Sequence, residues 1–193
     1  DCMPMKDQQT TGRDHRSKVP SSFCVNRSLN SESRSDGFPL PHIFHGLDYS
    51  PVVQSLFGGK ESAAQTLRSV RVRFDDSAEY MYVDDTTGTI IVSKRYLQSA
   101  SEELLYLDII HELVHIKQYR DGQELFDSKF SYVDRPTELE AYRLTLDEAR
   151  KIGMTDEEIE DYLYVEWITK KEHKRLARML GIDATRKRRN ETT

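Results

Sequence analysis

The chain has 193 residues, of which 37% are hydrophobic and 32% charged, with a formal net charge of −5. That length suits one globular domain with its own core, and no run of eighteen or more apolar residues offers a membrane span. Cys2 and Cys24 are too few for a disulfide framework and lack the CxxC spacing of a zinc–cysteine site, although a single bridge between them is open.

In chain order, residues 1–37 are polar, with scattered apolar side chains and no period, and read as a disordered or loosely attached extension. The domain is expected over residues 38–183, starting where Phe38-Pro39-Leu40-Pro41 first clusters apolar groups. Glu61 to Arg68 fits a short helix after the Gly58-Gly59 breaker. Val70, Val72 and Phe74 then alternate with Arg71 and Arg73, the period of a strand. Tyr80, Tyr82 and Thr89-Ile90-Ile91-Val92 flank a turn ending in Gly88, a hairpin pattern.

From Ser101 the period becomes helical, and Leu104, Leu107, Ile110, Leu113 and Ile116 leave almost no polar face. A helix apolar nearly all round is buried, so each polar residue inside it is costly and informative. Gly122 is its expected stop. Pro136 suits the first turn of the next helix, which should end at Gly153. Thr155 with Glu158, and Thr169 with Glu172, fit capping boxes that open two more helices. Trp167, beside Val165 and Ile168, is expected in the core. The order predicts an α+β fold: a small antiparallel β meander followed by about four helices.

Residues 184–193 form a basic tail. From Lys170 to Arg189 there are nine Lys or Arg against two acids, so the rest of the chain is markedly acidic. A nucleic-acid-binding domain shows a basic face throughout, so nucleic acid is not the expected partner. A cytoplasmic location is the expectation.

The chemistry sits in the buried helix, as His111-Glu112-Leu113-Val114-His115. Residues four apart lie one above the other on a helix, so both imidazoles can reach one zinc ion. Glu112 is rotated about 100° from His111, beside the metal, where its carboxylate can take a proton from metal-activated water. A random chain of this composition shows HExxH about once in fifty. The apolar helix around it lowers that rate further, because three unpartnered polar groups there would each cost a few kcal/mol.

A catalytic zinc takes three protein ligands and leaves one position open. Asp121 could serve on the metzincin pattern, but Gln118 stands where that pattern needs a glycine to end the helix. The better source is Glu138, which shares a helix face with the small Ala141. Glu140 points elsewhere, as a support for a ligand or a solvated charge.

HExxH followed by Glu138-Leu139-Glu140-Ala141 on a later helix resembles the gluzincin clan of metallopeptidases, and the layout is similar to its minimal members, the minigluzincins. The stretches HELVHIKQYRDG and RPTELEAYR are also similar to those of uncharacterised prokaryotic and archaeal HExxH proteins. The resemblance covers roughly residues 70 to 150. It implies a zincin-like fold, a zinc ion on His111, His115 and Glu138, and Glu112 as catalytic base. It also implies a peptide or protein substrate, bound as an added strand along a sheet edge, with Thr89 to Ser93 the candidate edge. Many gluzincins carry an aspartate four residues after the glutamate ligand. Tyr142 occupies that position in this chain, which leaves Glu140 or Asp108 to support the histidines, or Tyr142 to serve as a hydrogen-bond donor to the oxyanion. The contrasting reading is a zinc-holding binding or regulatory module without turnover.

Overall fold

The computed structural model describes residues 19–28 and 36–182. The fold is mixed α+β. A two-residue strand β1 (Cys24–Val25) pairs antiparallel with β3 (Phe44–His45). The main sheet has four strands: β2 (Phe38–Pro39), β4 (Arg71–Asp75), β5 (Met81–Asp84) and β6 (Thr89–Ser93). Helices α1 (Pro51–Leu56) and α2 (Lys60–Ser69) precede β4, and α3 (Lys94–Ser99) follows β6. Then come α4 (Glu102–Arg120), α5 (Pro136–Lys151), α6 (Asp156–Tyr162) and α7 (Lys170–Met179).

The sheet is not the antiparallel meander expected from the sequence. Its order is β2-β4-β6-β5, with β4 parallel to β6 and the other pairs antiparallel. The side chains explain the insertion of β6 between β4 and β5. Ile90, Ile91, Val92 and Ser93 are all buried, so β6 is covered on both faces and must lie inside. In β5, exposed Tyr82 alternates with buried Met81 and Val83, which suits a strand with one wet face. The edges are therefore β5 and the two-residue β2, and Thr89–Ser93 is not an edge. Five helices follow the sheet rather than about four, because Ser93 caps α3, a short helix without enough length to show a period.

The hairpin between β5 and β6 turns at Gly88, whose φ is +65°. A Cβ there would also meet the Tyr119 ring at 2.5 Å. Gly88→Ala should therefore destabilise the fold by about 1–2 kcal/mol, lowering the melting temperature by about 2–8 °C. An unchanged melt would mean that the turn relaxes at no cost.

Several local readings hold in the structure. Ser101 accepts from the Leu104 backbone N–H and caps α4, which ends before Gly122 at φ +75°. Pro136 opens α5, and both capping boxes are formed. Two readings do not hold. Residues 19–28, expected in the loose extension, pack on the domain: Phe23 is buried edge-on against Tyr106, and Arg27 donates to the Leu97 and Ala100 carbonyls. The apolar run Phe23-Cys24-Val25 is too short to show a period, so only tertiary contact reveals its place. Trp167 is 54% exposed and not in the core. The rest of the extension, Cys2 and the basic tail lie outside the described residues.

Helix α4 is the axis of the core. Leu105, Leu107, Ile109, Ile110 and Leu113 are fully buried, and α4 packs on α5 and β5. Tyr106 donates to Glu148 Oε1 (2.9 Å) and bonds Ser50 (2.9 Å), joining α4, α5 and the start of α1 through a buried polar link. Among the described residues no helix is long and apolar enough to cross a membrane.

Candidate metal centre

The buried stretch of α4 places His111 and His115 one turn apart on one side of the helix, with their rings 4.8 Å apart. The first turn of α5 brings Glu138 to the same point. Glu138 Oε2 lies 3.3 Å from His111 Nε2 and 3.6 Å from His115 Nε2, and the two Nε2 atoms are 3.1 Å apart. All three residues are buried. Tetrahedral coordination with bonds of about 2.0–2.1 Å separates ligand atoms by about 3.3–3.4 Å. The triangle has that size, and its donors are two imidazoles and a carboxylate, a set that suits a divalent transition metal. The group could hold a metal ion.

The electrostatics fit the same conclusion. Burial alone would raise the Glu138 pKa, but hydrogen bonding to His111 and His115 overrides it and holds the carboxyl well below its usual range. Burial pulls His111 down. Burial also opposes charge on His115, yet Glu138 and Glu112 push its pKa up to about 9. Three acceptor atoms converging within 3.6 Å require positive charge between them, which a proton supplies in part and a metal ion in full.

Glu112 sits beside the triangle. Its Oε2 is buried without a hydrogen-bond partner. Burial pushes its carboxyl up to about 8 in the metal-free chain, with Glu138 and Asp108 adding to the shift and His115 opposing it. A buried carboxylate oxygen left without a donor is uncommon and marks a place where a water, metal or substrate is expected.

The chain matches no protein-family model and no curated protein, and no solved structure is similar to it. What the centre does must therefore be read from its own residues.

The spacing of the motif marks the triangle but not what braces it. Gln118, weighed in the sequence only as the residue standing where a glycine is lacking, is buried one turn after His115. Its Oε1 lies 2.7 Å from His115 Nδ1, and its Nε2 donates to the Thr137 carbonyl (3.0 Å) and to Glu140 Oε2 (2.8 Å). One amide thus fixes the His115 tautomer, leaving Nε2 to face the triangle, and ties α4 to the turn that carries Glu138. Glu140 is itself exposed and supports the centre through Gln118. The spacing from His115 to Gln118, three residues on a helix, is the sign the sequence offers.

Asp108 does not support His111. It accepts from Tyr96 and from Tyr162 (2.8 Å), and burial lifts its carboxyl to about 6 against those two bonds. His111 Nδ1 is buried without a partner. The Tyr142 ring meets the His111 ring edge-on at 4.6 Å, while its hydroxyl bonds Tyr132 (2.6 Å). Asp121 ends α4 and pairs with Lys117, away from the triangle.

The centre opens into a cleft of about 520 Å³. Seven of the chain's ten tyrosines line it, together with Trp167, so its walls offer apolar ring faces and hydroxyl groups together. Met81, Tyr82 and Val83 of the edge strand β5 form one side.

The Gln118 brace carries its own test. Gln118→Leu should weaken metal affinity tenfold to about a hundredfold, measured by competition with a chromophoric chelator. Unchanged affinity would reduce Gln118 to a link between two helices.

Proposed function

We propose that the chain is a zinc-dependent hydrolase, and that it cleaves peptide bonds in extended segments. The observation that carries this reading is Glu112: a buried carboxylate oxygen without a partner, beside two histidines and a glutamate that are, among the described residues, one protein ligand short of a tetrahedral site. A purely structural zinc fills its fourth position with a protein ligand and needs no carboxylate next to it. The resemblance of HExxH and Glu138 to the gluzincins supports the same assignment.

His111, His115 and Glu138 would hold the zinc, which when bound polarises water and the substrate carbonyl. Glu112 takes a proton from the attacking water as its oxygen adds to the carbonyl carbon. Glu112 then delivers that proton to the leaving nitrogen as the C–N bond breaks. β5 pairs only with β6 among the described residues, so its outer edge, where the Val83 N–H faces Glu112, offers main-chain groups to an extended peptide. The aromatic walls suit the apolar side chains that an unfolded segment exposes.

Purified protein never exposed to chelator should hold about one zinc per chain by metal analysis, and should cleave short peptides in a chelator-sensitive way. Absence of zinc from such protein would defeat the assignment at its base.

A further inference from the structure

Arg135 stands just before α5, three residues ahead of Glu138, and lines the cleft. It is the only lysine or arginine among the lining residues. Its side chain is 15% exposed, and its Nε–H is buried with no hydrogen-bond partner. Its one ion pair among the described residues is between Nη1 and Glu138 Oε1 at 3.6 Å, longer than a hydrogen bond. The guanidinium instead lies over the rings of Phe126 (5.5 Å) and Tyr132 (6.0 Å).

A guanidinium has five N–H donors and stays charged when buried. Keeping that charge mostly out of water, with ring faces and one loose ion pair for company, is costly unless an anion completes the site. Glu138 does so only in part, through Oε1 at 3.6 Å, because its other oxygen is committed to the histidines. The two rings hold the guanidinium plane in place, which favours the two-pronged recognition of a carboxylate. The guanidinium contacts the Glu138 oxygen that faces away from the triangle, so the width of that carboxylate separates it from the centre. Nη1 stands a further 3.6 Å beyond that oxygen, about one residue's length of extended chain, within reach of a charged group one residue from a carbonyl at the centre. Elsewhere the cleft is lined by Glu79, Asp108 and Asp161, which repel an anion and leave Arg135 as its docking point outside the metal centre.

We infer that Arg135 is the anchor for a carboxylate of the substrate, placed one residue from the bond that is cut. This rests on the hydrolase reading for the word substrate, but not for the binding itself. The carboxylate comes from a peptide C-terminus or from an acidic side chain, and the two can be told apart.

Trp167, the only tryptophan, lines the same cleft and reports binding by fluorescence. The probes are N-acetylphenylalanine, its amide, and N-acetylaspartate amide, each titrated into zinc-loaded and zinc-free wild type, Arg135→Gln and Arg135→Lys. Wild type should bind one of the two carboxylates on the order of a hundredfold more tightly than the phenylalanine amide. Arg135→Gln should erase that preference, Arg135→Lys should restore part of it, and the zinc-free protein should keep it. Preference for N-acetylphenylalanine identifies a C-terminal carboxylate, and preference for N-acetylaspartate amide an acidic side chain. A preference that survives Arg135→Gln but vanishes with the zinc would place the carboxylate on the metal and overturn the proposal. Binding of none of the probes by wild type would overturn it as well. So would loss of zinc from Arg135→Gln without any preference in the zinc-free wild type, since Arg135 would then merely position Glu138. With cleavable peptides, Arg135→Gln should raise KM for free acids alone. An equal fall in kcat for acids and amides would assign the guanidinium to the transition state instead. Carboxylate preference in a protein that cleaves no peptide would leave the anchor standing and remove the hydrolase reading.

Discussion

Glu112→Gln should abolish hydrolysis while the protein keeps its metal. The substitution preserves size and hydrogen-bonding shape, and Glu112 is not part of the triangle formed by His111, His115 and Glu138. What it removes is the capacity to accept a proton, a contribution on the order of 10²–10⁴-fold for a positioned general base. The structure adds a second expectation. The Glu112 carboxyl is buried and pushed up to about 8 without a metal, so the folded chain must hold it protonated, at rising cost, once the pH passes the ordinary carboxylate range. The sign follows from linkage: the folded pKa lies above the unfolded one, so stability is greatest below the unfolded value and falls as pH climbs towards about 8. The neutral amide has no charge to bury, so zinc-free Glu112→Gln should lose less stability than zinc-free wild type between about pH 5 and 8. Paired assays on a pool of unfolded proteins and short peptides decide the catalytic point. Cleavage by wild type alone supports an enzyme, and equal cleavage by both points to a contaminating protease. Silence from both moves the weight to a zinc-holding binding module.

The second large effect concerns the third ligand. Glu138→Ala should weaken zinc binding by more than about a hundredfold, whereas Glu140→Ala should cost about tenfold or less. Glu138 Oε2 closes the triangle at 3.3 and 3.6 Å from the imidazoles. Glu140 reaches His115 only through the Gln118 amide, which retains its bond to the Thr137 carbonyl when Glu140 is shortened. Competition titration against a chelator of known affinity ranks the two variants. If Glu140→Ala strips the metal and Glu138→Ala does not, it is Glu140 that faces the ion, and α5 is turned by half a turn from the register in which Glu138 closes the triangle.

The sequence alone carries many of the features that depend on near neighbours along the chain. The HExxH pair is set by four-residue spacing within one helix, and the apolar setting of that helix is visible in Leu107, Ile110 and Leu113. Ser101, Pro136, Thr155 and Thr169 mark helix starts because their hydrogen bonds or fixed φ act within a single turn. Glu138 is reachable because Ala141 shares its face. The tertiary structure alone decides whatever depends on which elements meet. β6 lies inside the sheet, covered on both faces; the run Ile90-Ile91-Val92 is the local sign of that, but which strands flank it is decided by packing. The apolar neighbours of Trp167 suggest a core position, yet it stands in the cleft wall, edge-on to Tyr80 and Tyr132, residues 87 and 35 positions earlier in the chain. Gln118 and Arg135 are ordinary helix-end residues in the sequence. Only the packing of α4 on α5 turns one into the brace of His115 and leaves the other with a buried Nε–H and no partner for it. Local geometry is written in spacing, whereas desolvation and partnership exist only once distant segments have excluded water from around the group.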